Sequence, residues 1–390
     1  MNAKILALLF LFCSVISVHA SQLTIVLDAD FSGGAKNGGI AIKRGVELAV
    51  VDINENGGLL GKQLQLVVTD HRGNPARGVA NLKKQLKDES VIAVIGGVHT
   101  PVVLAQLPLV KQTGLPFLIP WAAGTTIVEN GFENNNVFRV SLRDSDAAIT
   151  MLNHAKNQGY KNVSLILERT GWGRSNEVSM KRYASSLGIS VDEVLWFNWR
   201  QSTYESLIEQ IEMKPQKALI LVANAPEGAE FLLSLLNNNE KRVMPVLSHW
   251  GITAGDFVSL VGLEKLGQMQ LSILQSFHFA KTDMQDNAQT LLSKYRAKYD
   301  TQANESNITA AVGVAQGYDI VQLLAESIRN TKSYMAPLIL DGLENLESYQ
   351  GVVKHYQRPF SAGKHDALLA DDYLMTRFNE DGHLVPVSNE

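Results

Sequence analysis

Val91-Ile-Ala-Val-Ile-Gly-Gly-Val-His-Thr100-Pro-Val-Val103 reads as a short buried strand, a glycine pair and the opening of a helix. An unbroken Val/Ile run bounded by glycine is what a strand covered on both faces requires. Thr100 suits a helix N-cap and Pro101 the first helical position. The same strand-turn-helix grammar extends in both directions. Before it, Leu23 to Asp28 and Leu64 to Thr69 read as strands. The apolar positions Ile42, Val46, Leu48, Ala49, Val50 and Ile53 repeat at helical spacing, and a helix is expected over 76–86. After it come a helix over 102–110 and a strand over 115–119. Short apolar strands alternating with amphipathic helices indicate βαβ units and a mainly parallel sheet.

The alternation restarts beyond Phe138-Arg-Val-Ser141. Strands are expected at 163–167, 189–197 and 218–222, and helices at 147–157, 176–187, 204–211 and 225–236. Two long helices follow, 286–299 and 309–328, and strand candidates close the chain at 351–355 and 373–377. The fold class is α/β, with two similar blocks in tandem. A length of 390 residues exceeds what one core usually fills. No flexible linker separates the blocks, which favours several short crossings between adjacent lobes.

Residues 1–20 stand apart. Lys4, an apolar run from Ile5 to Val18, and Val18-His-Ala20 at the −3 and −1 positions make a secretory signal peptide. The run is short of the roughly 20 residues that span a bilayer. Cys13, the single cysteine, lies within it, preceded by Phe12 rather than the small residue of a lipoprotein signal. The expected mature chain keeps 34 basic and 39 acidic residues and no cysteine. A periplasmic protein is the simplest reading. The acidic balance argues against nucleic-acid binding.

Catalytic patterns are missing. The nine histidines form no HExxH and no pair at metal spacing. There is no Walker A pattern and no GxSxG elbow. His365-Asp366 forms a pair without a nucleophile to serve. No enzyme activity, metal or cofactor is expected.

In open α/β sheets, ligands sit beyond the carboxyl ends of the strands. The loop with His99 and Thr100 would offer a hydroxyl and the amides of Val102 and Val103 to a carboxylate. Pro120-Trp-Ala-Ala-Gly124 places Trp121 beside the small Ala122 and Ala123. Trp172 and Trp250 also fall at strand ends, giving a cleft walled by aromatic faces.

These stretches carry a resemblance. Gly45-Val-Glu-Leu-Ala-Val-Val-Asp-Ile-Asn54, Asp70-His-Arg-Gly-Asn-Pro75, Val94-Ile-Gly-Gly97, Gly114-Leu-Pro-Phe-Leu-Ile-Pro120, Val137-Phe-Arg-Val-Ser141 and Ala315-Gln-Gly-Tyr-Asp319 occur in the order and spacing of one family. Nearly the whole chain resembles the leucine/isoleucine/valine-binding type of periplasmic substrate-binding protein, the type I receptors of ABC importers. The resemblance implies two Rossmann-like lobes joined by three hinge crossings. The lobes would be 21–141 with 278–350, and 142–277 with 351–390. It implies ligand contacts at Thr100 and the backbone of Trp121, Ala122 and Ala123, an aromatic lid at Trp172, and a further contact at Asn224. Trp250 stands where relatives carry an acid for a ligand ammonium. Asp144, Asp146, Glu168 or Glu227 would then have to substitute, or the ligand lacks an amine. Three ligand classes therefore stay open: an amino acid, an apolar or aromatic acid, and a cation held by indole faces. The implied partners are a small-molecule ligand and a membrane permease, with a monomer expected. The alternative is a ligand-sensing module feeding a sensor kinase or chemoreceptor.

Overall fold

The computed structural model describes residues 22–213, 218–238, 243–282 and 284–387. The expected signal peptide lies outside them. The first sheet contains β1 (Leu23–Ala29), β2 (Leu64–Asp70), β3 (Val91–Gly96), β4 (Phe117–Ile119) and β5 (Val137–Arg139). All are parallel, in the order β2-β1-β3-β4-β5. Helices α1 (Lys36–Glu55), α2 (Pro75–Gln85), α3 (Thr100–Thr113) and α4 (Thr125–Val128) connect these strands. β1 and β3 are buried along their whole length, which is why they read as continuous apolar runs.

The second lobe repeats the plan. α5 (Asp144–Asn157) leads into β6 (Asn162–Glu168), α6 (Gly171–Ala184), β7 (Ser190–Phe197) and α7 (Glu205–Glu212). β8 (Ala218–Val222), α8 (Ala225–Asn238), β9 (Val246–Ser248), α9 (Phe257–Val261), α10 (Leu263–Gly267) and β10 (Leu271–Gln275) complete the block. The chain then returns to the first lobe as α11 (Gln285–Lys298), α12 (Ala311–Thr331) and α13 (Ala336–Glu344). It ends in β11 (Ser348–Gln350), β12 (His355–Gln357), β13 (Leu374–Phe378) and β14 (Leu384–Pro386). β13 and β14 add antiparallel edges to a sheet ordered β14-β13-β10-β9-β8-β6-β7.

Two expectations need correction. The glycine-rich run Ser32-Gly-Gly-Ala-Lys-Asn-Gly-Gly39, which reads from the sequence as a loop after the first strand, is not all loop, because α1 begins at Lys36 and contains Gly38 and Gly39. A Cβ on Gly39 would stand 2.0 Å from the Asp30 carbonyl oxygen, so the helix can lie against the β1 loop only with glycine there. The segment after residue 350 does not pass straight to the second lobe, and its strand is His355–Gln357 rather than 351–355. β12 pairs with β11, and the Tyr356 hydroxyl donates to Asp319 on α12 at 2.8 Å. Arg139 N–H donates to the His365 carbonyl (2.8 Å) and Ala367 N–H to the Arg139 carbonyl (2.9 Å), so the segment lies along the β5 edge. His365 stacks on Phe138 at 4.1 Å, and Asp366 meets the buried Arg139 guanidinium at 2.5 Å. The His365-Asp366 pair thus fastens the tail to the first lobe, and the third crossing comes after Leu368.

Candidate functional site

The strand ends of the two sheets face each other and form two distinct settings. The first is a dry seam. Trp121 follows β4 and Trp250 follows β9. Their rings approach to 4.8 Å between centroids, and each is about 1% exposed. Such an offset aromatic pair contributes about 0.5–1.5 kcal/mol beyond its buried area. Trp172 is set by the Thr170 cap of α6, whose hydroxyl accepts from the Trp172 and Gly173 amides. Its indole N–H donates to Asp144 Oδ1 at 3.1 Å, and His249 Nε2 reaches the same oxygen at 3.2 Å.

The loop of Ala122 and Ala123 is held from within. Arg139 donates to the Ala122 and Gly124 carbonyls (3.3 and 2.8 Å), Asp144 N–H to the Ala123 carbonyl (2.9 Å), and the Ser141 hydroxyl to the Trp121 carbonyl (2.5 Å). Thr100 Oγ1 accepts from Gly124 N–H at 3.2 Å. The sequence expectation for this loop is therefore off by one residue. His99, in extended conformation, is the N-cap, and α3 begins at Thr100. The Val102 and Val103 amides are not free, since both donate to the His99 carbonyl (3.0 and 3.1 Å). Pro101 has no N–H to give, so the helix can start one residue earlier without losing a bond.

The second setting is a cavity of about 380 Å³ walled by both lobes. Asp30, Arg72 and His99 enter it from the loops after β1, β2 and β3. Trp199 and Asn224 enter from those after β7 and β8, and Glu227 from the first turn of α8. Arg200 and Glu230 also line it. His99 Nε2 meets Asp30 Oδ2 at 3.0 Å, and its ring lies 5.3 Å from the Trp199 ring across the cleft. The Trp199 indole N–H and the Asn224 amide both donate to Glu168 Oε2 (2.8 and 2.9 Å). Arg200 N–H donates to Glu227 Oε1 at 3.0 Å.

Burial raises the Asp30 carboxyl, but the His99 hydrogen bond and the Ala35 and Gly33 amides outweigh it and hold it at about 2. Burial pushes Glu168 up to about 7 despite its hydrogen bonds. Burial, and then the neighbouring His99, hold His71 down to about 3. The cavity therefore presents a fixed anion, Asp30, behind a histidine, with carboxylates and guanidinium groups of both signs around one indole face. Among the described residues no cluster of three or more His, Cys, Asp or Glu is placed to hold a metal ion. No described helix is long and apolar enough to cross a membrane.

Of the residues expected from the sequence, His99 and Asn224 line this cavity. Thr100, Trp121, Ala122, Ala123, Trp172 and Trp250 lie in the seam. Among the proposed substitute acids, Glu227 faces the cavity, Glu168 stands behind it, Asp144 is engaged by Trp172 and His249, and Asp146 pairs with Arg143 at 2.9 Å. Asp30, Arg72 and Trp199 were not anticipated. The signal for Trp199 was present, because it stands two residues past a legible strand.

Comparison with known proteins agrees with this architecture. A family model described as "Periplasmic binding protein" matches residues 22–383. Leu/Ile/Val-binding protein homolog 3 of Brucella melitensis is 28% identical over 193 residues, which cover 49% of this chain and 52% of that protein. The match thus spans about half the length of that relative. A periplasmic binding protein type 1 from Bordetella pertussis superimposes with a TM-score of 0.85 at 22% identity, covering 94% of this chain and 100% of that one. An R. palustris solute-binding protein in complex with 4-hydroxybenzoate gives a TM-score of 0.76 at 16% identity, covering 95% and 96%. With two parallel-sheet lobes facing across a cleft and a family match over nearly every described residue, the chain belongs to the periplasmic binding protein family.

Proposed function

We propose that the protein is a non-enzymatic solute receptor of an ABC importer, exported by residues 1–20, that encloses a small carboxylate-bearing solute between its lobes. The observation carrying this reading is the cavity of about 380 Å³ built from strand-end loops of both lobes. Its chemistry favours an amphoteric solute such as an amino acid. Arg72 and Arg200 offer partners to a carboxylate, Glu227 and Asp30 to an ammonium, and Trp199 an apolar face. The acid missing at Trp250 is thereby supplied from other positions, at the ends of β1 and β8. The indoles of the seam act as the dry surface on which the lobes meet. A solute touching both walls stabilises the closed arrangement, and a permease can distinguish closed from open receptor. The relative named for Leu/Ile/Val and the structure holding 4-hydroxybenzoate support a carboxylate as the shared element.

A thermal-shift screen over amino acids, aromatic acids, aliphatic acids and quaternary amines tests this. A solute at one hundred times its Kd adds about 2.7 kcal/mol of stability. An amphoteric solute should give the largest shift, and Trp199→Ala and Glu227→Gln should each weaken its binding at least tenfold by calorimetry. Unchanged affinity in both variants would reject this cavity as the binding site. For the leader, the exported protein should begin at Ser21 by N-terminal sequencing.

A further inference from the structure

A second cavity, of about 760 Å³, opens on another flank of the same cleft. Thr125 and Glu129 enter it from the first lobe, Arg174, Val178 and Arg182 from α6 of the second, and Arg143 from the first crossing. The lobes touch at its edge, where Thr125 N–H donates to Ser175 Oγ at 3.0 Å. Arg143 is already matched by Asp146 at 2.9 Å and Glu129 at 3.1 Å. Arg174 and Arg182 are exposed, and among the described residues neither is in an ion pair; Arg182 only lies over the Tyr183 ring.

Positions 174, 178 and 182 recur every four residues and so form one stripe along α6. At 1.5 Å per residue the two arginines stand about 12 Å apart along the axis. Val178 between them is 67% exposed. Guanidinium groups pair with carboxylates in a planar two-bond geometry, and an exposed valine offers apolar contact. Cation, apolar side chain, cation is the complement of an anion with two charged ends and an apolar middle.

We propose that this cavity is a second ligand site, for a dicarboxylate with an aliphatic spacer. Because its walls come from both lobes, such a ligand favours the closed arrangement. It therefore tightens binding of the solute in the Asp30–Trp199 cavity and is tightened by it in equal measure.

Calorimetric titration of the mature chain with nonanedioate tests this, with nonanoate and butanedioate as controls. We expect saturable one-site binding of nonanedioate, at least tenfold tighter than either control. The double variant Arg174→Glu/Arg182→Glu should weaken it at least tenfold while keeping the wild-type circular dichroism spectrum, and Glu227→Gln, which alters the other cavity from within the second lobe, should leave it unchanged. Four results each overturn the proposal: no saturable binding, equal binding of the controls, equal affinity in the charge-reversed protein, or loss in Glu227→Gln. The last would place the dicarboxylate in the other cavity, so the two readings fail separately.

Discussion

Arg139 shows how much one buried side chain can organise. It is fully buried, pairs with Asp366, and holds the carbonyls of Ala122 and Gly124. Removing one partner of such a pair strands the other, at a cost of about 3–5 kcal/mol. Arg139→Ala should lose that much in urea unfolding, and Arg139→Ala/Asp366→Ala less than the two single losses combined. Glu168 makes a prediction of the opposite kind. Its folded pKa, about 7, lies above its ordinary value of 4.5, so the folded state holds a proton that the unfolded state releases. Its contribution to stability is present below pH 4.5 and is lost as pH rises towards 7. Glu168→Gln keeps an acceptor for Trp199 and Asn224, and should flatten stability against pH across that window. An unchanged pH profile would show that Glu168 is not held neutral. Individual side-chain roles were the least legible level in the sequence. An indole at a strand end looks the same whether it lines an open cavity, as Trp199 does, or meets the opposite lobe, as Trp121 and Trp250 do. What separates them is the partner's position, which is a property of the closed fold.

At the scale of elements, the first lobe depends on a close crossing of α1 and α12. A Cβ on Gly45 would fall 2.1 Å from the Val314 carbonyl oxygen, and one on Gly317 would fall 2.8 Å from that of Ile42. Gly313 gives room to Trp121 in the same way, at 3.0 Å. Gly45→Ala must push these helices apart. The expected cost is about 1–3 kcal/mol, as for other overpacked cores, read as a fall in the urea midpoint. Because α12 backs Trp121, the variant should also alter tryptophan fluorescence. Strands and helices were largely readable, since β1, β3 and β8 are continuous apolar runs and the helices carry regular apolar spacing. The end of the first lobe was not. Its last edge rests on Arg139 and Asp366, which lie 227 positions apart, and three bonded residues give too short a pattern to stand out. The early start of α3 was hidden as well, because Thr100-Pro101 satisfies either register.

For the whole molecule, the proposed receptor role turns on the balance between closed and open lobes. Beyond the seam, closure is held by Lys36 against Asp256 at 2.7 Å and by the Asn37 amide on the same acid at 3.0 Å. An exposed pair of this kind contributes at most about 1 kcal/mol. Asp256→Lys replaces attraction by repulsion and should enlarge the radius of gyration in solution scattering. Solute affinity should fall about two- to fivefold. The charge swap Lys36→Asp/Asp256→Lys should restore both. If the swapped protein scatters like the single variant, the pair does not govern closure.

The three crossings also dictate an order of assembly. Strands β6 to β10 follow one another without interruption from Asn162 to Gln275. The first sheet, although its strands come first, cannot be finished early: α1 awaits α12, and the β5 edge awaits His365–Ala367. A chain released from its N-terminus thus holds a half-covered apolar surface until almost its last residues emerge. Long-range closures of this kind are slow and prone to aggregation while they wait. The lobe synthesised first should stay incomplete until residues 365–367 emerge, after which only the antiparallel edge strands β13 and β14 of the second lobe remain to be added, and truncations that remove 365–367 should expose surface at the opposite end of the sequence.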